Sequence, residues 1–326
     1  MRDRRAVICP LDWADAIRGF SMGGISKSAS SMKVIPRPEL HTLEYVLHSA
    51  DKVLCDSGAL DDVDSAVLVL PLEYAEPIYS SMWPQPVLQV GEGNTARTVV
   101  LSTVFADSPD ACLKALEYQP KPFQPKPSLP KLTGNAGLMR WNVTAQYGPM
   151  YVDTLNAWEA AGANVFHPGD YFKPDLLEAL ANMTGHWVYV GHAEVDRLRG
   201  YQHIVASDLT RILKRGPLDS TLWLTCNTLA HRADVLSLGM VWYLSGAVRL
   251  FLGAVGPTDT LENQHFCKLW LHALLAFKAN KAAHTLADVV RQVFSSVGWV
   301  GVNGAGRAPL KLGQHYRMLG NPWVGL

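Results

Sequence analysis

Across 326 residues, a 48% hydrophobic content and 29 acidic against 29 basic residues provide enough apolar material for one large domain or two moderate ones. Zero formal net charge argues against a nucleic-acid partner held by phosphate neutralisation, and the basic opening from Arg2 to Arg5 is too short to change that. The longest apolar runs, such as Val248–Val255, fall far short of the roughly 18 residues of a membrane-spanning helix, so no membrane is expected.

Asp12, Asp15 and Arg18 interrupt what would be the apolar core of a signal peptide. The five cysteines (Cys9, Cys55, Cys112, Cys226 and Cys267) are odd in number and widely spaced, with no C-x-x-C among them. That pattern argues against a disulfide framework or a structural zinc and for a reduced, cytoplasmic protein with no cofactor. In such a setting most cysteines are small buried hydrophobes, and one can be a nucleophile.

Along the chain, the first forty residues are rich in Ser, Gly and Pro and yield no element. Glu39–Ala50 has helical spacing through Leu40, Leu43, Val46 and Leu47. Short apolar strands are expected at Ala66–Pro71, Pro86–Val90 and Thr98–Phe105. Residues 119–130, with five prolines in twelve positions, can form neither a helix interior nor a central strand. This connector divides an N-terminal α/β region, 1–118, from the patterned remainder. A linker over 119–136 and a second domain over 137–326 follow.

In the second region strands are predicted at Leu138–Val143, Asn164–Phe166, His186–Gly191, Thr221–Thr225 and Val248–Val255. Helices are predicted at Met150–Ala161, ended by Gly162, and at Pro174–Met183, Arg232–Leu244, Leu261–Ala279 and Thr285–Val297; Leu209–Lys214 reads as a helical turn. Apolar strands alternating with amphipathic helices indicate a mainly parallel sheet covered on both faces. In such sheets, chemistry gathers in loops at the strands' carboxyl ends.

Two such loops carry reactive side chains. His192 follows the run His186-Trp187-Val188-Tyr189-Val190-Gly191, and Cys226 follows Leu222-Trp223-Leu224-Thr225. Consecutive parallel strands are usually neighbours, which brings both to one rim. An imidazole beside a thiol is either its general base or its ion-pair partner, and the pair suits acyl transfer. Taken singly, each has a structural reading, as a buried thiol or a hydrogen-bonded core histidine.

The conjunction of motifs resembles the caspase-like fold of caspases, metacaspases, gingipains, separases and bacterial CHAT-type peptidases. VYVGHA at 188–193 and LWLTCNT at 222–228 match its histidine and cysteine strands in order. RLFLGAV at 249–255, the Pro-Thr-Asp turn at 257–259 and YRMLGNP at 316–322 follow as in the CHAT-type members. The resemblance implies a three-layer α/β sandwich and a cysteine endopeptidase, with His192 as general acid/base and Cys226 as nucleophile. Backbone N–H groups at Ala193 and Cys226 would hold the oxyanion. Most relatives have Gly after the histidine, so Ala193 is a departure, and the Q-A-C-x-G signature of animal caspases is absent.

Asp259 stands where several relatives carry the acid that binds a basic P1 side chain, and equally where a residue would cap the helix from Leu261. Glu194 and Asp196 either line a pocket entrance or are ordinary solvated loop acids. Lys214-Arg215 reads as a processing site if cleavage follows basic residues. A protein or peptide substrate is implied, with an activating protein or upstream protease as a further partner, and a bacterial defence or signalling cascade as the setting. Residues 1–118 would be a regulatory or a pseudo-catalytic subdomain.

The alternative from a different class is an inactive caspase-like interaction module. Retention of both His192 and Cys226 speaks against it, and Ala193 slightly for it. A phosphate-binding or G-x-S-x-G hydrolase domain is disfavoured, because GVNGAG at 301–306 lacks Lys-Ser/Thr and follows a helix. The helix residues His265, Cys267 and His272 have no metal-ligand spacing, so no metal is expected.

Overall fold

The computed structural model describes residues 4–23, 32–37, 60–76, 79–80, 83–90, 97–117, 138–146, 149–212, 217–279, 284–298 and 315–326. The expected helix at 39–50, the linker at 119–136, Lys214-Arg215 and the glycine run at 301–306 lie outside them. The chain forms two compact units, Met1–Tyr118 with Thr285–Val324, and Gln119–His284 with Gly325–Leu326. The expected domain over 137–326 is thus shared between the units, since 285–324 joins the N-terminal segment.

The first unit opens with strand β1 (Arg5–Cys9), helix α1 (Ala14–Gly23) and strand β2 (Lys33–Pro36), in the stretch where composition predicted no element. Strands β3 (Ser65–Pro71), β4 (Val87–Val90) and β5 (Arg97–Ala106) follow, and then helix α2 (Pro109–Leu116). The parallel order β2-β1-β3-β5 is set by Val7↔Val34, Val7↔Val67 and Val67↔Ser102. Ser108 caps α2 by accepting the Ala111 amide.

In the second unit, strands β6 (Trp141–Ala145), β7 (Asn164–Phe166) and β8 (His186–Val190) are joined by helices α3 (Val152–Ala160) and α4 (Lys173–Asn182). A small antiparallel hairpin, β9 (Ala193–Glu194) with β10 (Arg197–Leu198), is extended by β11 (Ile204–Val205). Strand β12 (Leu218–Leu224), helix α5 (Leu238–Leu244), strand β13 (Val248–Ala254) and helix α6 (Thr260–Ala279) complete the unit. Its sheet runs β13-β12-β8-β6-β7, all parallel. Every residue of β6, β8 and β12 is buried, as strands covered on both faces require. Gly162, at φ +83°, ends α3 in the left-handed conformation expected of it.

The chain then returns to the first unit with helix α7 (Leu286–Gly298) and strand β14 (Tyr316–Gly320). Because β3 pairs with β5 from Val100 to Ala106, β4 and β14 divide the opposite edge of β5. The antiparallel β4 takes Arg97–Val100, and β14 meets Thr103 at Leu319. The Ser102 hydroxyl donates to the Gly320 carbonyl at 2.7 Å, locking that register.

Two sequence expectations need correction. Leu138–Arg140 is a turn, closed by Trp141 N–H on the Leu138 carbonyl at 2.7 Å, and the strand begins only at Trp141. The helix expected over Arg232–Leu244 is confined to Leu238–Leu244. The missing turns are held open from outside: Leu238 N–H donates to the Val195 carbonyl at 2.7 Å, and Arg232 pairs with Asp196 at 3.6 Å. Tertiary contacts here outweigh local propensity.

The core around β8 and β12 is aromatic. Trp187 packs edge-on against Trp223 and Trp242, and Trp223 against Phe251. At the amino end of β8, His186 is fully buried, stacked on Trp141 at 4.1 Å, with Nδ1 2.9 Å from the Ser220 hydroxyl. Burial, aided by the Arg140 charge, lowers its pKa from 6.5 to about 3. The folded chain therefore refuses a proton that the unfolded chain takes up below about pH 6.5. Stability is full above that pH and is lost as pH falls toward about 3, by up to about 1.4 kcal/mol per pH unit. Urea unfolding between pH 7 and 4 should show this slope reduced in His186→Gln, which cannot titrate.

Candidate active site

The site is set by the register of two strands. Val190 of β8 lies opposite Leu224 of β12. His192 and Cys226 each stand two residues beyond that pair, so they leave the carboxyl rim at the same level, on strands about 4.8 Å apart. Both are half-buried. No hydrogen bond joins the imidazole and the sulfur among the described residues. Structures without substrate often show such pairs apart before the contact tightens.

Cys226 is held from its other side. Thr258 N–H donates to Sγ at 3.2 Å, and the thiol reaches the Thr258 carbonyl at 3.2 Å and its hydroxyl at 3.4 Å. Asn263, one turn into α6, fixes that hydroxyl by donating to it at 2.8 Å. The backbone turns sharply after the cysteine, with Asn227 at φ +58°, a conformation that Asn tolerates better than most residues. Asn227 N–H donates to the Gly256 carbonyl at 3.0 Å, and Thr228 Oγ1 accepts the Ala254 amide at 3.0 Å, so the loop is tied to the end of β13. Tyr151, buried at the start of α3, stands close by: burial raises its phenol, and Cys226 adds to the rise.

Among the described residues, Cys226 is the one cysteine that is not buried. Burial pushes the thiol of Cys9 up to about 11, and those of Cys112 and Cys267 up to about 12. Cys267 accepts a hydrogen bond from the Trp158 indole at 3.2 Å, as a core residue. His265 and His272 are exposed on α6, and no group of three or more His, Cys, Asp or Glu is placed to hold a metal ion among the described residues.

The histidine side of the rim is pinned by hydrogen bonds and ion pairs. His192 N–H donates to Gln146 Oε1 at 2.9 Å, and its carbonyl accepts from the Tyr189 hydroxyl at 2.9 Å and the Arg199 amide at 3.0 Å. Ala193 follows, 7% exposed, at the start of β9. Glu194 is paired with Arg199 and Arg197, and Asp196 with Arg197 and Arg232. The hydrogen bond from Arg199 holds Glu194 below the usual carboxylate range. Solvent screens exposed pairs of this kind, so they orient the hairpin more than they stabilise it.

Beyond the hairpin, Tyr201, Gln202 and His203 all have left-handed φ, at 53°, 59° and 64°. Such a run persists only where its surroundings impose it. The Tyr201 hydroxyl is fixed between the Phe166 carbonyl and the Ala145 amide.

Asp259 lies one residue past the Thr258 contact and is exposed. Its Oδ1 accepts the amides of Leu261 at 2.8 Å and Glu262 at 3.1 Å, capping α6. Thr258 and Tyr189 lie within the motifs at 257–259 and 188–193, but nothing in those motifs signals their contacts with Cys226 and His192. Gln146 sits in a carboxyl-end loop, where the strand-end rule directs attention, and has no signal of its own.

Residues 116–324 match the model of Peptidase family C25. No curated protein matches the chain in sequence. Among solved structures, the Arg-specific cysteine proteinase gingipain R is similar with a TM-score of 0.62 and 11% identity, over 100% of this chain and 78% of that one. The complex of Porphyromonas gingivalis RgpB pro- and mature domains gives 0.59 and 12%, over 98% and 79%. A further structure, described as a protease, gives 0.63 and 10%, over 100% and 78%. At these identities the likeness is one of fold.

The exposure pattern of the thiols predicts a labelling experiment. Iodoacetamide applied to the native chain should modify Cys226 and spare Cys9, Cys112 and Cys267, which should react only after unfolding; peptide mapping reads the difference.

Proposed function

The chain belongs to peptidase family C25 and is a cysteine-type endopeptidase, and we propose that His192 and Cys226 are the dyad with which it hydrolyses peptide bonds. The observation that carries this assignment is the Val190↔Leu224 register, which puts an accessible thiol and an imidazole at one level of one rim.

In the proposed reaction, Cys226 Sγ attacks the scissile carbonyl carbon, and its proton passes to His192. The carbonyl π electrons move to oxygen, where N–H groups at Ala193 and Cys226 face the charge. Each such donor is typically worth about 2.7–4 kcal/mol of transition-state stabilisation. Collapse of the intermediate expels the amine, protonated by His192, and leaves a thioester. Water then gives a proton to His192 and attacks the thioester; the carboxylic acid leaves, and the thiol regains its proton. Thr258 keeps the sulfur at the rim.

Asp259 is proposed to select a basic P1 side chain. It is exposed, adjacent in sequence to the residue that touches the sulfur, and its carboxylate suits a guanidinium. The capping bonds to α6 favour the second reading, a purely structural Asp259. Protein substrates, control by processing or by a bound partner, and a place in a bacterial defence or signalling cascade complete the reading. The pro-domain complex of the similar RgpB supports the element of control. Free thiols at Cys9, Cys112, Cys226 and Cys267 support a reducing, cytoplasmic setting. No helix among the described residues is long and apolar enough to cross a membrane.

A peptide library incubated with the purified chain should be cut, and Cys226→Ala should abolish cutting; cleavage that survives in Cys226→Ala removes the assignment. Asn caps helices about as well as Asp. Asp259→Asn should therefore keep α6 intact while reducing cleavage after Arg or Lys by at least about tenfold, as expected for loss of a charge-assisted pair. An unchanged P1 profile would leave Asp259 as a cap only.

A further inference from the structure

His192 is held by its backbone, and the centre of that hold is a buried tyrosine three residues before it. Tyr189 is fully buried in β8. Its hydroxyl donates to the His192 carbonyl at 2.9 Å and accepts the Gly200 amide at 3.0 Å. The same carbonyl accepts the Arg199 amide at 3.0 Å, and the His192 amide donates to Gln146 Oε1 at 2.9 Å. Both main-chain polar groups of His192 are thus engaged by fixed partners.

The space around the hydroxyl is made by two glycines. A Cβ on Gly191 would meet the Tyr189 hydroxyl and Gln146 Cβ at 2.8 Å, and one on Gly200 would meet the hydroxyl at 3.1 Å. The phenol therefore closes the base of the 192–199 hairpin, joining the residues that enter it to those that leave it. Burial pushes the phenol well above its ordinary range, so it remains a donor at every working pH.

We infer that Tyr189, with Gln146, is a positioning residue for His192: its hydroxyl fixes the main chain that carries the imidazole. The inference rests on the reading of His192 as the proton carrier. A hydroxyl that only filled the core would matter to stability and leave thiol chemistry alone. A positioning hydroxyl matters to the imidazole's placement, where a 1 Å error costs on the order of 100-fold in rate.

The test measures the rate of Cys226 alkylation by iodoacetamide in the full chain, from pH 5 to 9, with peptide mapping to isolate Cys226. His192→Ala should remove the histidine-dependent part of the profile. Tyr189→Phe should reduce that part by roughly tenfold, within the penalty for misplacement, and lower kcat for a cleaved library peptide with little change in KM. Gln146→Met, which keeps the side chain's length and loses the acceptor, should act in the same direction and decides the matter if Tyr189→Phe fails to fold. A profile unchanged by His192→Ala overturns the dyad and this inference together. A profile flattened by His192→Ala but left as wild type by the folded positioning variants overturns this inference alone.

Discussion

The pairing of β8 with β12 is the constraint on which the rest of the site depends. Five consecutive Cα partners, from His186↔Ser220 to Val190↔Leu224, leave no freedom to slip, because every side chain on both strands is buried. In a parallel ladder a shift of one residue would turn each apolar side chain to the other face. The Trp187–Trp223–Trp242 cluster and the buried His186–Ser220 contact both forbid that shift. The register is therefore enforced by the core, and the placement of His192 and Cys226 at one level follows from it.

From that common level the two loops are built differently. The cysteine loop makes a sharp left-handed turn at Asn227 and is tied at once to β13 and α6, through the Gly256 carbonyl, Thr228 and Thr258. The histidine loop runs out into a small hairpin and comes back to its own strand through Arg199, Gly200 and the Tyr189 hydroxyl. Val195 with Leu238, and Asp196 with Arg232, connect the two loops away from the sheet. A thiol fixed on one side and an imidazole fixed on the other are the two groups on which the proposed peptidase reading rests.

Asp259 has an observed structural role, and the proposed specificity role would be exercised from the same position. Capping α6 places the Pro-Thr-Asp turn, and that turn carries the Thr258 groups that touch Cys226. A carboxylate drawn to the helix end by two amides is also a charge held beside the sulfur's contact residue. The helix cap thus positions a candidate specificity residue, and loss of its charge and loss of its capping are separable.

Much was legible in the chain itself, where period and local chemistry suffice. Apolar runs marked β3, β5, β7, β8, β12 and β13, Gly162 marked the end of α3, and the ordered motifs placed His192 and Cys226 after neighbouring strands of a caspase-like sheet. These features are legible because buried parallel strands, left-handed caps and strand-end loops leave local signatures. Tertiary structure alone decided the rest. β1, a short apolar run within a polar opening, forms a strand through pairing with β2 and β3; residues 232–237 stay out of the helix because Val195 and Asp196 hold them. Thr258 reaches the sulfur, and Tyr189 reaches His192, only because chain segments distant in sequence or turned back on themselves are brought within hydrogen-bonding distance. No residue's identity announces such a partner, since hydrogen bonds and packing act across space whereas sequence pattern records only neighbours along the chain.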